Sequence, residues 1–217
     1  MHKNKFVVRL LECLNLEIEK LSKQISGEGN TEAVVPPMPM LLKMALKNEW
    51  ETSLLTSFWV TDEPEPNFRV SLAQLAGDEA KHFNLIKKRL DELGGSISKE
   101  DLDERTPLFH FLKKQMNTFD RIITGPFARE ALAVARNKVF LNHCEKIQDQ
   151  KTIEIYKTIQ EDEKFHHELG LRYADIYLKT QADLDRATEK MLEVLKVVDD
   201  IQEMIVMKKG LCQIPGC

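Results

Sequence analysis

The amino-acid sequence predicts an all-α protein: a four-helix bundle with one long crossover connection and an additional helix at each end. Three observations lead to this prediction. Apolar residues recur at helical spacing through most of the 217 residues. The nine glycines and eight prolines fall mostly between these stretches. Two of the stretches also carry the same motif, Asp-Glu-x-x-His, at residues 78–82 and 162–166.

The first 39 residues are expected to form one amphipathic helix and a loop outside the bundle. Residues 5–25 combine apolar and charged side chains at the spacing of a helix with one buried face. Three prolines then prevent this helix from continuing. The bundle is expected to occupy residues 40–180. In its first helix, over residues 40–60, apolar side chains lie almost all round, which is typical of a helix enclosed by others.

The two motifs lie on predicted helices over residues 68–93 and 152–179. A glutamate and a histidine three residues apart occupy one face of a helix, and here that face is the apolar stripe. A carboxylate directed at a core costs several kcal/mol unless it is paired or bound to a cation. The motifs therefore predict buried metal ligands, namely Glu79, His82, Glu163 and His166.

A polar connection over residues 96–106 separates the two motif-bearing halves and is the predicted crossover. Residues 107–147 are then expected to form the third bundle helix, broken or kinked near Gly125 and Pro126. A short turn over residues 148–151 leads to the second motif helix.

The connection between the first two bundle helices indicates a further ligand. In two antiparallel helices, residues at equal distances from the connecting turn lie at the same height. A turn near residue 64 places Glu49 at the height of Glu79. Glu51 is the alternative, because it lies about 200° round the helix from Glu49 and a different apolar stripe favours it.

The connection before the second motif helix is compared in the same way. A turn near residue 149 places residue 135 at the height of Glu163, and no carboxylate stands there. Glu130 is the nearest glutamate upstream, about one helical turn away. It is expected to serve as the ligand if this helix is shifted or the turn is longer.

The motifs and their surroundings resemble a known superfamily. Residues 75–83 (LAGDEAKHF), together with Glu163, His166 and Gly170, are similar to the ferritin-like diiron-carboxylate superfamily, in its poorly characterised branch near the tRNA-modifying diiron hydroxylases. The resemblance covers about residues 40–180. It implies a ferritin-like four-helix bundle that holds two iron ions, with manganese or a mixed pair as alternatives, and commonly activates oxygen.

One position departs from the pattern of the family. The third bundle helix of those relatives carries a glutamate followed by Ala-Arg, whereas this chain has Val134 in that place. The metal ligands expected from the residues and the resemblance together are Glu49, Glu79, His82, Glu130, Glu163 and His166.

The end of the chain carries less information. A last helix over residues 181–209 is predicted outside the bundle, followed by a tail over residues 210–217 that contains Cys212 and Cys217. The four cysteines are too few and too scattered for a disulfide framework.

Charge and hydropathy bound the function. The formal net charge of −4 disfavours a nucleic-acid partner, and no apolar run approaches the roughly 20 residues of a membrane span. The expected location is cytoplasmic. The predicted function is an oxygen-activating dimetal oxidase or hydroxylase that acts on a small or tethered substrate, with a redox partner that the sequence does not identify. The alternative is a non-catalytic bundle for metal binding, storage or helix-mediated assembly, for example as a homodimer.

Overall fold

A computed structural model describes residues 4–26 and 35–209. Every regular element in these residues is helical, so the all-α prediction is confirmed. None of the described helices is long and apolar enough to cross a membrane. The predicted tail, with Cys212 and Cys217, lies outside the described residues.

Six long helices make up most of the structure: α1 (Lys5–Ser26), α2 (Met38–Asp62), α3 (Pro66–Glu92), α7 (Glu130–Lys146), α8 (Gln150–Tyr177) and α9 (Gln181–Lys209). Between α3 and α7 lie the short helices α4 (Lys99–Asp103), α5 (Pro107–Lys113) and α6 (Thr118–Ile122). A π-helix (Ile123–Arg129) follows α6 and runs directly into α7.

Helices α3 and α8, which carry the two motifs, pack in opposite directions. Ser71 and Tyr173 share a hydrogen bond near the start of α3, and Lys81 contacts Asp162 further along. Arg89, near the end of α3, reaches Thr152 at the start of α8. Since α7 also packs antiparallel to α8, α3 and α7 run in the same direction. The chain between them must therefore return along the length of the helices, as the predicted crossover requires.

The start of α8 is fixed by Asp149. Its carboxylate accepts hydrogen bonds from the Thr152 backbone N–H (3.2 Å) and hydroxyl (2.7 Å) and from Arg89 Nη2 (2.8 Å). Although burial favours the neutral acid, the hydrogen bonds from Thr152 and Arg89 lower the pKa of Asp149. This cap ties α3 to α8 at one end of the structure.

The helix predicted over residues 107–147, with a break or kink near Gly125 and Pro126, is interrupted earlier than expected. The chain leaves the helix after Lys113 and resumes at Thr118, where the Asn117 side chain accepts a hydrogen bond from the Asp120 backbone N–H. Gly125 and Pro126, expected to mark a break or kink, lie inside the π-helix. A proline has no N–H to donate, and the wider turn of a π-helix accommodates it without ending the helix.

The predicted crossover segment is also more ordered than a polar loop. Residues Ser98 and Asp101 form a reciprocal capping box at the start of α4. The Trp50 indole and the Lys47 ammonium then donate to the backbone carbonyls of Leu102 and Asp101, at 3.2 and 2.8 Å. These contacts hold the crossover against α2.

Two clusters of buried apolar side chains fill the interior. One, near the α2 N-terminus and α3 C-terminus, includes Leu42, Leu46 and Ile86. The other, at the opposite end, joins the π-helix and α8 to α1 and α9. The apolar stripes of α1 and α9 are buried in it, so both terminal helices pack back on their own chain. The motif residues lie between the two clusters.

Candidate metal centre

The structure brings all six predicted ligand side chains together in the interior. Each is between 0% and 1% exposed: Glu49, Glu79, His82, Glu130, Glu163 and His166. They come from four helices, α2, α3, α7 and α8. A buried set of this composition demands compensation for its negative charge.

The six residues form two overlapping groups. In the first, which we call site 1, one ligand atom from each of Glu49, Glu79, His82 and Glu163 lies within 4.8 Å of the others. In the second, site 2, the same is true of Glu79, Glu130, Glu163 and His166. Glu79 and Glu163 belong to both, so each site adds one glutamate and one histidine of its own to a shared pair of carboxylates.

The choice between Glu49 and Glu51 is decided by the geometry. Glu49 Oε2 lies 3.3 Å from His82 Nδ1. Glu51 is directed elsewhere, because its carboxylate accepts hydrogen bonds from the backbone N–H (2.9 Å) and the hydroxyl of Thr106 at the start of α5. Glu49 is therefore the member of the cluster, and Glu51 holds the crossover.

Glu130 reaches the cluster because α7 and α8 pair in a different register from the one estimated from the sequence. Gln160 Nε2 donates to the Val134 carbonyl at 3.0 Å, so residues that face each other across these helices have numbers that sum to about 294. Residue 131, and not 135, is then opposite Glu163. The estimate failed because the turn is centred near residue 147, where Gln148 adopts a positive φ of 59°.

Each histidine presents Nδ1 to the cluster. His82 Nδ1 lies 3.3 to 3.7 Å from oxygens of Glu49, Glu163 and Glu79. His166 Nδ1 lies 3.5 and 3.7 Å from Glu79 and Glu163. The Nε2 atoms consequently point away from the cluster.

Two aspartates that the ligand prediction did not include receive these Nε2 atoms. His82 Nε2 contacts Asp162 Oδ2 at 3.1 Å, and His166 Nε2 contacts Asp78 Oδ2 at 3.2 Å. Each motif therefore supplies the partner for the histidine of the other. The repeated Asp in Asp-Glu-x-x-His was the signal that could have identified both.

Arg129 was missed altogether. It is 6% exposed at the end of the π-helix, and its Nη1 donates to Glu130 Oε1 at 2.7 Å. Its Nη2 donates to the Thr52 hydroxyl on α2. Helical spacing places adjacent residues on different faces, so it did not associate Arg129 with Glu130. The one signal in the sequence was that the two residues are neighbours.

The electrostatics of the cluster follow from its burial. Burial and repulsion from Glu79 raise the pKa of Glu49 to about 8, and burial likewise raises the pKa of Glu130. Burial opposes charge on the imidazoles, but the carboxylates prevail. They raise the pKa of His82 to about 12 and that of His166 to about 10. The cluster therefore attracts positive charge strongly.

The residues form two groups that could each hold a metal ion. Both oxygens of Glu79, Glu130 Oε2 and the Nδ1 atoms of His82 and His166 are buried and make no hydrogen bond. Once all four glutamates are deprotonated, their four negative charges would be balanced by two divalent ions. Of the nearby cations, Lys81 is paired with Asp162, at 2.8 Å, and Arg129 is paired with Glu130. Carboxylate and imidazole together suit iron or manganese.

Comparison with known proteins gives one match. The model of a protein family described as "Protein of unknown function (DUF455)" matches residues 41–200, which include all of the cluster. No curated protein and no solved structure matches the chain.

Proposed function

Because the chain belongs to this family of proteins of unknown function, we propose its function from the cluster itself: a ferritin-like diiron-carboxylate oxidase or hydroxylase. The observation that carries the proposal is the pair of overlapping sites that share Glu79 and Glu163. Two carboxylates common to both sites can hold two ions side by side, as in four-helix bundles that bind metal through paired Glu-x-x-His motifs. Manganese, or one ion of each kind, would fit the same donors.

The chain's own residues have definable tasks in such a centre. Asp78 and Asp162 accept from the Nε2 of His166 and His82, which fixes the ring orientation and leaves Nδ1 for a metal. The apolar clusters on either side exclude bulk water from the glutamates. When bound, two iron ions would supply the electrons that reduce dioxygen.

A small cavity adjoins the centre between α2 and α5. Its volume is about 20 Å³, and it is lined in part by Thr52, Leu55, Phe109, Leu112 and Arg129. This is room for about one water molecule. Arg129 lines the cavity and also donates to Glu130, so the cavity lies next to the centre.

The test is an oxygen reaction with iron-loaded protein. Metal-free protein is loaded anaerobically with two equivalents of ferrous iron, and dissolved oxygen and remaining ferrous iron are followed after air-saturated buffer is added. We expect both to fall faster than with free ferrous iron. Glu163→Gln should abolish the difference, and Glu161→Gln, an exposed glutamate on the same helix, should preserve it. Iron that binds but stays ferrous would refute the oxidase.

A non-catalytic metal-binding protein is the second candidate, favoured by the complete burial of the cluster and the small size of the adjoining cavity. In that case two ions would bind without consumption of oxygen, or more than two would accumulate if the protein stores iron. Helix-mediated assembly has less support, because the apolar stripes of α1 and α9 are covered by their own chain.

A further inference from the structure

The two sites have the same kinds of ligand, but the residue that precedes the glutamate of each site differs. Each site combines the shared Glu79 and Glu163 with one glutamate and one histidine of its own. The glutamate of site 2, Glu130, is preceded in the sequence by the cationic Arg129. The glutamate of site 1, Glu49, is preceded by the neutral Asn48.

The Arg129 guanidinium is fixed beside Glu130. The side chain is 7% exposed, and one nitrogen donates to Glu130 Oε1 at 2.7 Å while another donates to the Thr52 hydroxyl. Thr52 in turn donates to the Asn48 carbonyl at 2.8 Å, which orients its hydroxyl. A buried cation held by two helices is poorly screened by solvent and cannot leave without losing these bonds.

Arg129 limits what Glu130 can offer to a metal. Oε1 is engaged by the guanidinium, whereas Oε2 is buried without a hydrogen bond and is the more available ligand atom. The guanidinium also shares the charge of the carboxylate and repels a divalent cation placed next to it. By contrast, Glu49 Oε2 faces the His82 ring nitrogen at 3.3 Å, and this nitrogen is itself a potential ligand.

We propose that Arg129 makes the two sites unequal, so that site 1 loads first and site 2 binds its ion more weakly. The proposal rests on the proposed function, since it requires that the cluster binds two ions. It assigns to Arg129 a positioning role that acts through Glu130. The expected difference between the two dissociation constants is at least tenfold.

The experiment is a titration of metal-free protein with Mn²⁺, followed by electron paramagnetic resonance and by the concentration of free ion. In the wild type, the first equivalent should give the spectrum of an isolated ion, and the second should convert it to that of a coupled pair. In Arg129→Gln the coupled pair should appear from the first additions, because the two dissociation constants approach each other by about tenfold, equivalent to about 1.4 kcal/mol.

Two further variants serve as controls. Thr52→Val keeps the charge of Arg129 but removes the hydroxyl that holds its side chain. The ratio of the two dissociation constants should therefore decrease by less than in Arg129→Gln. If Arg129→Gln does not fold, the Thr52→Val result is used in its place. Lys81→Gln removes a cation beside site 1. Because the Lys81 side chain is 51% exposed and solvent weakens its charge, the ratio of the two dissociation constants should change by less than about twofold.

Each outcome decides the matter. The inference is overturned if the ratio of the two dissociation constants is unchanged in folded Arg129→Gln. If only Thr52→Val folds, an unchanged ratio in that variant overturns it. Equal dissociation constants in the wild type overturn the inference and leave the proposed function intact. If the wild type binds no Mn²⁺ or iron at all, the proposed function falls as well.

Discussion

Gly170 is a position where one added methyl group should affect both the fold and the candidate metal centre. A Cβ at this residue of α8 would lie 2.4 Å from Phe127 N and Pro126 C, and 2.5 Å from Pro126 O, all backbone atoms of the π-helix. Ordinary contacts begin at 3.4 Å. The Gly170→Ala substitution therefore requires the π-helix to move about 1 Å away from α8.

The magnitude follows from two opposing terms. Overpacking against a fixed backbone costs about 1–3 kcal/mol. Replacing glycine by alanine within a helix stabilises the folded state by about 0.5–1 kcal/mol. The free energy of unfolding should therefore fall by up to about 2.5 kcal/mol, which lowers the Tm of a chain of this size by up to about 10 °C. Because the π-helix leads directly into Glu130, site 2 should also bind metal more weakly.

Gly77 provides the matched control. It lies inside α3, and a Cβ there meets no atom within 4 Å. Gly77→Ala should therefore raise the free energy of unfolding by about 0.5–1 kcal/mol. Thermal and urea unfolding of the metal-free proteins, followed by circular dichroism, measure both effects. If Gly170→Ala is as stable as Gly77→Ala, the close contact between α8 and the π-helix does not exist.

Three other predictions concern charged groups. Asp78→Asn and Asp162→Asn should each weaken metal binding by about 10–100-fold, measured by competition with a chelator; unchanged affinity would mean that the aspartates do not orient the histidines. The carboxylates raise the pKa of His82 to about 12 and of His166 to about 10, so both rings hold a proton at pH 7 in metal-free protein. Metal binding should then release protons, and the affinity for metal should increase as pH rises. In calorimetry, the measured heat of binding should depend on the ionisation enthalpy of the buffer, and a heat that is the same in all buffers would contradict this. The pKa of Asp149 is lower in the folded protein than in the unfolded chain, where it is near 3.9. The Asp149 carboxylate therefore stabilises the fold at pH values above about 3.9, and this contribution is lost as the pH falls through the folded pKa. Asp149→Asn keeps a side chain that can cap the helix but loses the charge that Arg89 contacts, so it should lower the free energy of unfolding by about 1 kcal/mol or more at pH 7 and by much less at pH 2. Equal losses in urea titrations at acid and neutral pH would refute that.

The helices and most of the cluster could be predicted because they depend on local spacing. A glutamate and a histidine three residues apart on an apolar stripe must face the interior wherever the helix lies. The place of Glu49 also followed from the short connection after α2, because the estimated turn was correct. In contrast, the Asp162–His82 and Asp78–His166 contacts depend on how α3 and α8 are rotated against each other, which spacing does not determine.

The region before Glu130 was the least predictable. A π-helix of seven residues leaves no periodic signal of its own, and Gly125 with Pro126 suggested a break or a kink. The π-helix instead continues into α7. The hydrogen bonds that Arg129 makes to Glu130 and Thr52 could be seen only in the structure.

The number of metal ions bound per chain tests the central claim most directly. Protein purified without chelator, or reconstituted with ferrous iron under anaerobic conditions, would be desalted and its metal content measured by mass spectrometry. We expect two ions per chain in the wild type and in Glu161→Gln. Because both sites share Glu79 and Glu163, the double variant Glu79→Gln/Glu163→Gln should retain fewer than one. A wild type without metal, or a double variant that still binds two ions, would contradict the assignment of this cluster as a dimetal centre.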